Sequence, residues 1–229
     1  MNQQIWLTAY YHFPSVFSCR VPMSSISSAK TLPSPGPATI RLALIRTGIE
    51  LFGLDHIRDE LFPIIRSMNV KIIPPEQVAI STQTLKHYKG SADERVVDSI
   101  GYREFAHARG NLQVCLQIST AYVDVFKEIL RGIGYWGQTS SLTCCVRVEH
   151  KEPDKSLCAV PLWKISPDVR TQSYFVEVAT EFKRQDLTWE EIAGNTENML
   201  SFLDVEIFLW PLYICERDGK GTLLVRRSL

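Results

Sequence analysis

The chain has 229 residues, of which 45% are apolar and 22% charged. These are ordinary values for a globular protein, enough for one large domain or two small ones. Twenty-five Lys plus Arg balance 25 Asp plus Glu. The zero net charge excludes a partner held by bulk positive charge, so any nucleic-acid contact has to come from a local arrangement.

Ile5–Tyr11 is rich in strand formers and predicts a first strand. The following stretch, 12–38, is dense in proline and serine, with scattered apolar residues (Phe13, Val16, Phe17, Val21) and the basic residues Arg20 and Lys30. A loop that long inside a compact domain is unusual unless it has a function, and its composition predicts ordering on a partner. Pro35-Gly36-Pro37-Ala38-Thr39 leads into a helix whose stripe is Ile40, Leu44, Ile45, Leu51 and Phe52 and which stops at Gly53. A second helical pattern covers 54–68, with Asp55 at its start and Arg66 at its end. Strand character returns over 70–73 and, after Pro74-Pro75, over 78–80.

Residues 82–110 are polar and weakly periodic, the look of an excursion from a sheet. Leu112–Ile118 is the cleanest alternating strand, 121–130 a helix ending at Gly132, and Leu142–Val148 another strand. Read in order, 5–148 gives strand, helix, strand, strand, helix, strand. That is the βαββαβ order of the ferredoxin-like (RRM-like) unit, an α+β fold with both helices on one face of a four-stranded antiparallel sheet. The other face of such a sheet is free, and RNA-recognition modules of this shape bind single strands there or at its edges. Residues 150–229 predict a smaller, mostly β extension. It includes Tyr174–Val178, a capping box (Thr188 with Glu191), and Asp218-Gly219 turning into Thr222–Val225. The domains expected are thus 1–149, with the insertion at about 82–110, and 150–229.

The six cysteines show no CxxC spacing, which predicts reduced, mostly buried thiols. The five histidines show no metal-ligand spacing, and the chain has no Walker loop or GxGxxG, so no metal or cofactor is expected. The absence of a signal peptide or an apolar run of about 20 residues predicts a cytoplasmic protein with no membrane partner. Two local features carry chemistry. Within 1–53, Arg20, Lys30, Arg41 and Arg46 face the single acidic residue Glu50, around a long loop and a helix start. Lys86-His87-Tyr88-Lys89 offers the base, acid and cation that metal-free RNA cleavage requires, or else a phosphate clamp. Gly134-Tyr135-Trp136-Gly137-Gln138 lets a backbone approach a ligand, with Trp136 placed to stack on a base or simply to fill the core.

Several of these pieces together resemble one family. The opening strand, the Arg20-Val21-Pro22 loop and Lys30-Thr31-Leu32-Pro33-Ser34-Pro35 before a helix are similar to the start of the fifth Cas family, repeat-associated (RAMP) proteins of CRISPR systems. Tyr102-Arg103-Glu104-Phe105 before the 112–118 strand, and Gly134–Ser140 after the second helix, resemble two further stretches of that family. The resemblance covers about 5–148, with Gln138 standing where a basic residue is more usual. It implies a non-catalytic subunit of a type I Cascade effector that caps the 5′ handle of the crRNA. Such a subunit contacts the large subunit and the first backbone subunit, and reaches target DNA only through the complex. The excursion 82–110 would be the family's thumb-like insertion. The expected RNA contacts are Arg20, Lys30, Thr31 and Arg41, then Lys86, His87, Tyr88 and Lys89, with Trp136 and Gln138 flanking. A transposon-associated effector is a variant of the same reading. The rivals are a crRNA-processing endoribonuclease using His87 and Tyr88, and a protein-interaction scaffold without RNA.

Overall fold

The computed structural model describes residues 3–25, 28–90, 96–165, 173–182, 187–193 and 202–229. The first strand, β1 (Gln4–His12), is followed by three two-residue strands, β2 (Cys19–Arg20), β3 (Ser28–Ala29) and β4 (Thr31–Leu32). Helix α1 (Pro37–Phe52) opens with proline in its first turn and ends at Gly53, whose φ of 85° is the left-handed region glycine tolerates. The second helical pattern is one continuous path in three pieces: α2 (Leu54–His56), a π-turn over Ile57–Leu61 and α3 (Phe62–Ser67). Pro63 has no N–H for the carbonyl four residues back, and the preceding amide of Phe62 instead reaches the Ile57 carbonyl, five residues away. Then come β5 (Asn69–Ile73), β6 (Gln77–Gly90), β7 (Val96–Arg109), β8 (Leu112–Ser119), α4 (Val123–Gly132) and β9 (Cys144–His150). The C-terminal part adds β10 (Val160–Pro161), β11 (Tyr174–Phe182), α5 (Trp189–Ala193), β12 (Leu203–Arg217) and β13 (Gly221–Arg226).

Two larger sheets organise these elements, beside a two-stranded sheet of β2 and β4. The first is antiparallel, in the order β5-β8-β1-β9, with Leu7 opposite Leu116 and Ala9 opposite Val114. The second runs β10-β12-β13-β6-β7-β3, with β11 also paired to β12. The C-terminal strands therefore continue the hairpin β6–β7, through pairs such as Thr222 with Ile80. The excursion expected at 82–110 is the outer part of that hairpin, two 14-residue strands in unbroken register from Gln77 opposite Arg109 to Gly90 opposite Val96. Its inner end buries Val78, Ile80, Ala106 and Ala108, while Thr82, Thr84, Lys86, Ile100 and Tyr102 are exposed.

Alternation along β1 separates two surroundings. Leu7, Ala9 and Tyr11 join Val114 and Leu116 in the main core with Leu44 of α1 and Phe126 of α4. The Tyr11 hydroxyl donates to the Leu130 carbonyl at 2.7 Å. The opposite face, expected to be open, is covered over its middle. Residues 151–159 cross it as a strap from the β9 edge to the β5 edge. The Thr8 hydroxyl donates to the Lys151 carbonyl at 2.8 Å, and the Ala159 amide donates to the Ile72 carbonyl at 2.8 Å. Thr8, Tyr10 and Cys115 are buried beneath it, and burial pushes the Cys115 thiol up to about 12 and the Cys158 thiol to about 11.

The loop 12–38 also differs from expectation. Phe13 and Phe17 stack at 4.0 Å between centroids, and Phe17 exchanges backbone hydrogen bonds with Ala106 of β7. Phe13, Phe17, Val21 and Leu32 lie in the core, so the described part of the loop packs on this chain's own residues. All six cysteines are free thiols, but only Cys19, Cys115 and Cys158 are buried; Cys144 and Cys215 are exposed. The capping box at α5 forms as expected: the Thr188 amide donates to Glu191 Oε2 at 2.6 Å and the Glu191 amide to Thr188 Oγ1 at 3.3 Å. Thr188→Ala should therefore lower stability by about 1 kcal/mol, read as a shift in urea midpoint.

Candidate nucleic-acid interface

The two protruding segments meet along β7. Strand β3 lies parallel to it, with Ser28 beside Tyr102 and Ala29 beside Arg103, and the Thr31 amide donates to Glu104 Oε2 at 3.0 Å. The loop 134–143 closes on the same place. Its bridge Tyr135–Leu142 makes it a tight turn, Gly137 takes a φ of 69°, and Ser141 Oγ accepts from the Ser18 amide at 3.1 Å. Arg103 Nη1 donates to Gln138 Oε1 at 3.3 Å, tying the hairpin to this turn.

Of the expected contacts, Lys30 and Lys86 are exposed on this edge, and Gln138 is half-buried against Arg103. Arg20 is exposed too, but its guanidinium turns back onto the hydroxyl and carbonyl of Ser24. Strand pairing puts His87 opposite Ser99, Tyr88 opposite Asp98 and Lys89 opposite Val97; the side chains of these three residues lie outside the described part of the structure. Successive strand positions belong to opposite faces, so 86 and 88 fall on one face of the hairpin and 87 and 89 on the other.

Three expected contacts belong to the interior instead. Thr31 is 1% exposed, and its hydroxyl accepts from the Cys19 amide at 2.9 Å. Arg41 is fully buried: its Nε donates to Glu181 Oε1 at 2.7 Å, Nη2 to the Met68 carbonyl at 3.0 Å, and Nη1 to the Ile65 carbonyl. It joins α1 to β11 and to the end of α3, and no RNA phosphate reaches it. Trp136 is also fully buried, edge-on to Tyr11 at 4.9 Å between centroids, so its indole fills core and offers no face to a base.

The residues missed are Arg103, Tyr102 and Ile100. Tyr102 and Ile100 are 53% and 58% exposed, far more than apolar groups of their size usually are, and Lys86 stands opposite Ile100 on the same face. A cation beside exposed planar and apolar groups suits a nucleic-acid strand, which offers phosphates and base faces together. Near the hairpin base, a cleft of about 260 Å³ runs from Lys30 and Thr82 to Lys220, with Glu104 and Asp218 also lining it. Asp218 there accepts from the Lys220 and Gly221 amides at 2.7 and 2.8 Å, which hold its carboxyl below the usual range. Among the described residues, no cluster of three His, Cys, Asp or Glu side chains is placed to hold a metal, and no helix is long and apolar enough to cross a membrane.

No protein-family profile matches the chain. A curated protein of Archaeoglobus fulgidus, CRISPR-associated protein Cas5, is 26% identical over 177 residues, covering 75% of this chain and 77% of its own length. Among solved structures, that of a CRISPR protein from Archaeoglobus fulgidus superposes with a TM-score of 0.51 at 13% identity, over 98% of this chain and 92% of that one. This is a likeness of fold. A chain in the cryo-EM structure of the type III-B Cmr-beta bound to cognate target RNA scores 0.47 at 11% identity, over 64% of this chain and 60% of that one. Over three quarters of its length the sequence is thus similar to a protein named CRISPR-associated protein Cas5, and its mixed α+β architecture with antiparallel sheets is similar to that of a CRISPR protein.

Proposed function

We propose that this chain is a non-catalytic subunit of a type I CRISPR Cascade effector that binds and caps the 5′ handle of the crRNA. In the assembled particle it contacts the large subunit and the first backbone subunit. The observation that carries the reading is the pairing of both β3 and β6 with β7, which gathers Lys30 and Lys86 beside exposed Tyr102 and Ile100, with Arg103 on the other face of the hairpin. Phosphates taken by the cations position the strand, and bases laid on the tyrosine and isoleucine hold it. The strap supports this choice of edge, because it covers the middle of the sheet face that RNA-recognition modules use. The fold part of the proposal is a ferredoxin-like RAMP unit over 1–149 and a β-rich extension over 150–229. It is supported by the strand order β5-β8-β1-β9, second-third-first-fourth along the βαββαβ path. The hairpin β6–β7 is the thumb-like insertion in this reading.

The test is a salt titration of the full-length chain with handle RNA. Lys30→Ala combined with Lys86→Ala should weaken binding by about tenfold and lower the slope of log affinity against log salt by about 1.4, two single-strand phosphate contacts. An unchanged slope removes both residues from the interface. The RNA should also be recovered intact after incubation in EDTA; a product lost in His87→Ala would instead make the protein a processing endoribonuclease.

A further inference from the structure

The strap leaves one corner of the sheet's helix-free face uncovered. There Trp6 of β1 stands opposite Gln117 of β8, and Gln117 opposite Asn69 of β5. Residues directly opposite on paired strands share a face, so an indole and two amides form one row. Lys71, two residues along β5, and Lys155 of the strap border the same cavity of about 440 Å³, with Glu152 and Cys158 closing it. Trp6, Lys71 and Gln117 are half-buried, whereas Asn69 and Lys155 are exposed. Asn69 Nδ2 donates to Gln117 Oε1 at 3.3 Å, leaving the Gln117 NH₂ to donate and Asn69 Oδ1 to accept. Donor and acceptor side by side match the hydrogen-bonding edge of a nucleobase.

We propose that this corner binds one unpaired nucleobase of a single-stranded RNA. The base lies on the Trp6 indole, its edge meets the Gln117 and Asn69 amides, and the flanking phosphates meet Lys71 and Lys155. The cavity is of the size a small ligand needs, and its chemistry (one aromatic, two amides, two cations) is that of a base with its phosphates. Lys155 pairs with Glu152 at 3.7 Å; that contact is solvent-exposed and weak, so a phosphate displaces it at little cost. The site shares no residue with the hairpin edge and does not rest on the handle-binding reading.

The probe is octauridylate with a central 4-thiouridine, crosslinked by light to the full-length chain and mapped by mass spectrometry, with unmodified octauridylate and octaadenylate used for affinity. Crosslinks should fall within 4–8, 69–71, 113–119 or 151–160. Trp6→Leu should weaken binding at least about fivefold, the loss of one stacked base, and abolish those crosslinks. Because Trp6 also packs within the sheet, Gln117→Ala and Lys155→Ala give independent readings, and both should weaken binding. The Lys30→Ala/Lys86→Ala protein should keep the corner crosslinks whatever its handle affinity, which separates the two sites. Crosslinks confined to other segments, wild-type affinity in both Trp6→Leu and Gln117→Ala, or binding of neither octamer would overturn the proposal.

Discussion

Arg41→Ala should lower stability by about 3–5 kcal/mol, the cost of removing one member of a buried ion pair. The guanidinium is fully buried and serves Glu181 and the carbonyls of Ile65 and Met68 at once, so the loss falls on three elements together. For a chain of this length, that corresponds to a melting temperature lower by roughly 10 °C. Glu181→Gln together with Arg41→Met should recover part of the loss, because the double variant removes both charges. Below its melting temperature, Arg41→Ala should bind handle RNA within about twofold of wild type. A large affinity loss in protein that circular dichroism shows to be folded would return Arg41 to the interface.

The second large effect belongs to Trp136. Replacement by alanine empties a fully buried site against Tyr11 and should cost about 3–5 kcal/mol. Trp136→Phe should cost markedly less. A smaller ring keeps the edge-to-face contact, and the indole N–H it removes has no hydrogen-bond partner among the described residues. The paired measurement, denaturant midpoint and RNA affinity, distinguishes a core residue from a stacking platform. A core Trp136 moves the first and spares the second.

These two residues mark what the sequence could not show. Strand-forming residues identified β1, alternation identified β8, a strand read over 142–148 lies two residues before the observed β9, and helical spacing identified α1 and α4, because these signals are local to each segment. Arg41 reads as the polar flank of a one-sided helix. It is interior because β11, about 140 residues later, packs on α1's second side. That layer depends on long-range pairing, which periodicity does not encode. The strap is hidden for the same reason, since nothing in 151–159 says which surface it will cross. The hairpin escaped recognition as paired strands because, among its described residues, neither 81–86 nor 100–105 contains a buried side chain, so no apolar alternation marks those stretches. Arg103 and Tyr102 were legible only as part of a motif resemblance; their exposure and their place beside β3 come from the fold. The capping box at Thr188 and the Asp218-Gly219 turn were legible because their geometry is local.

Amide hydrogen exchange with and without handle RNA tests the claim that loop and hairpin form one gripping edge. RNA should slow exchange in 28–32 and in 82–104 together, leaving 174–182 and 203–210 unchanged. Slowing in only one of the two segments, or centred on the C-terminal strands, would contradict it.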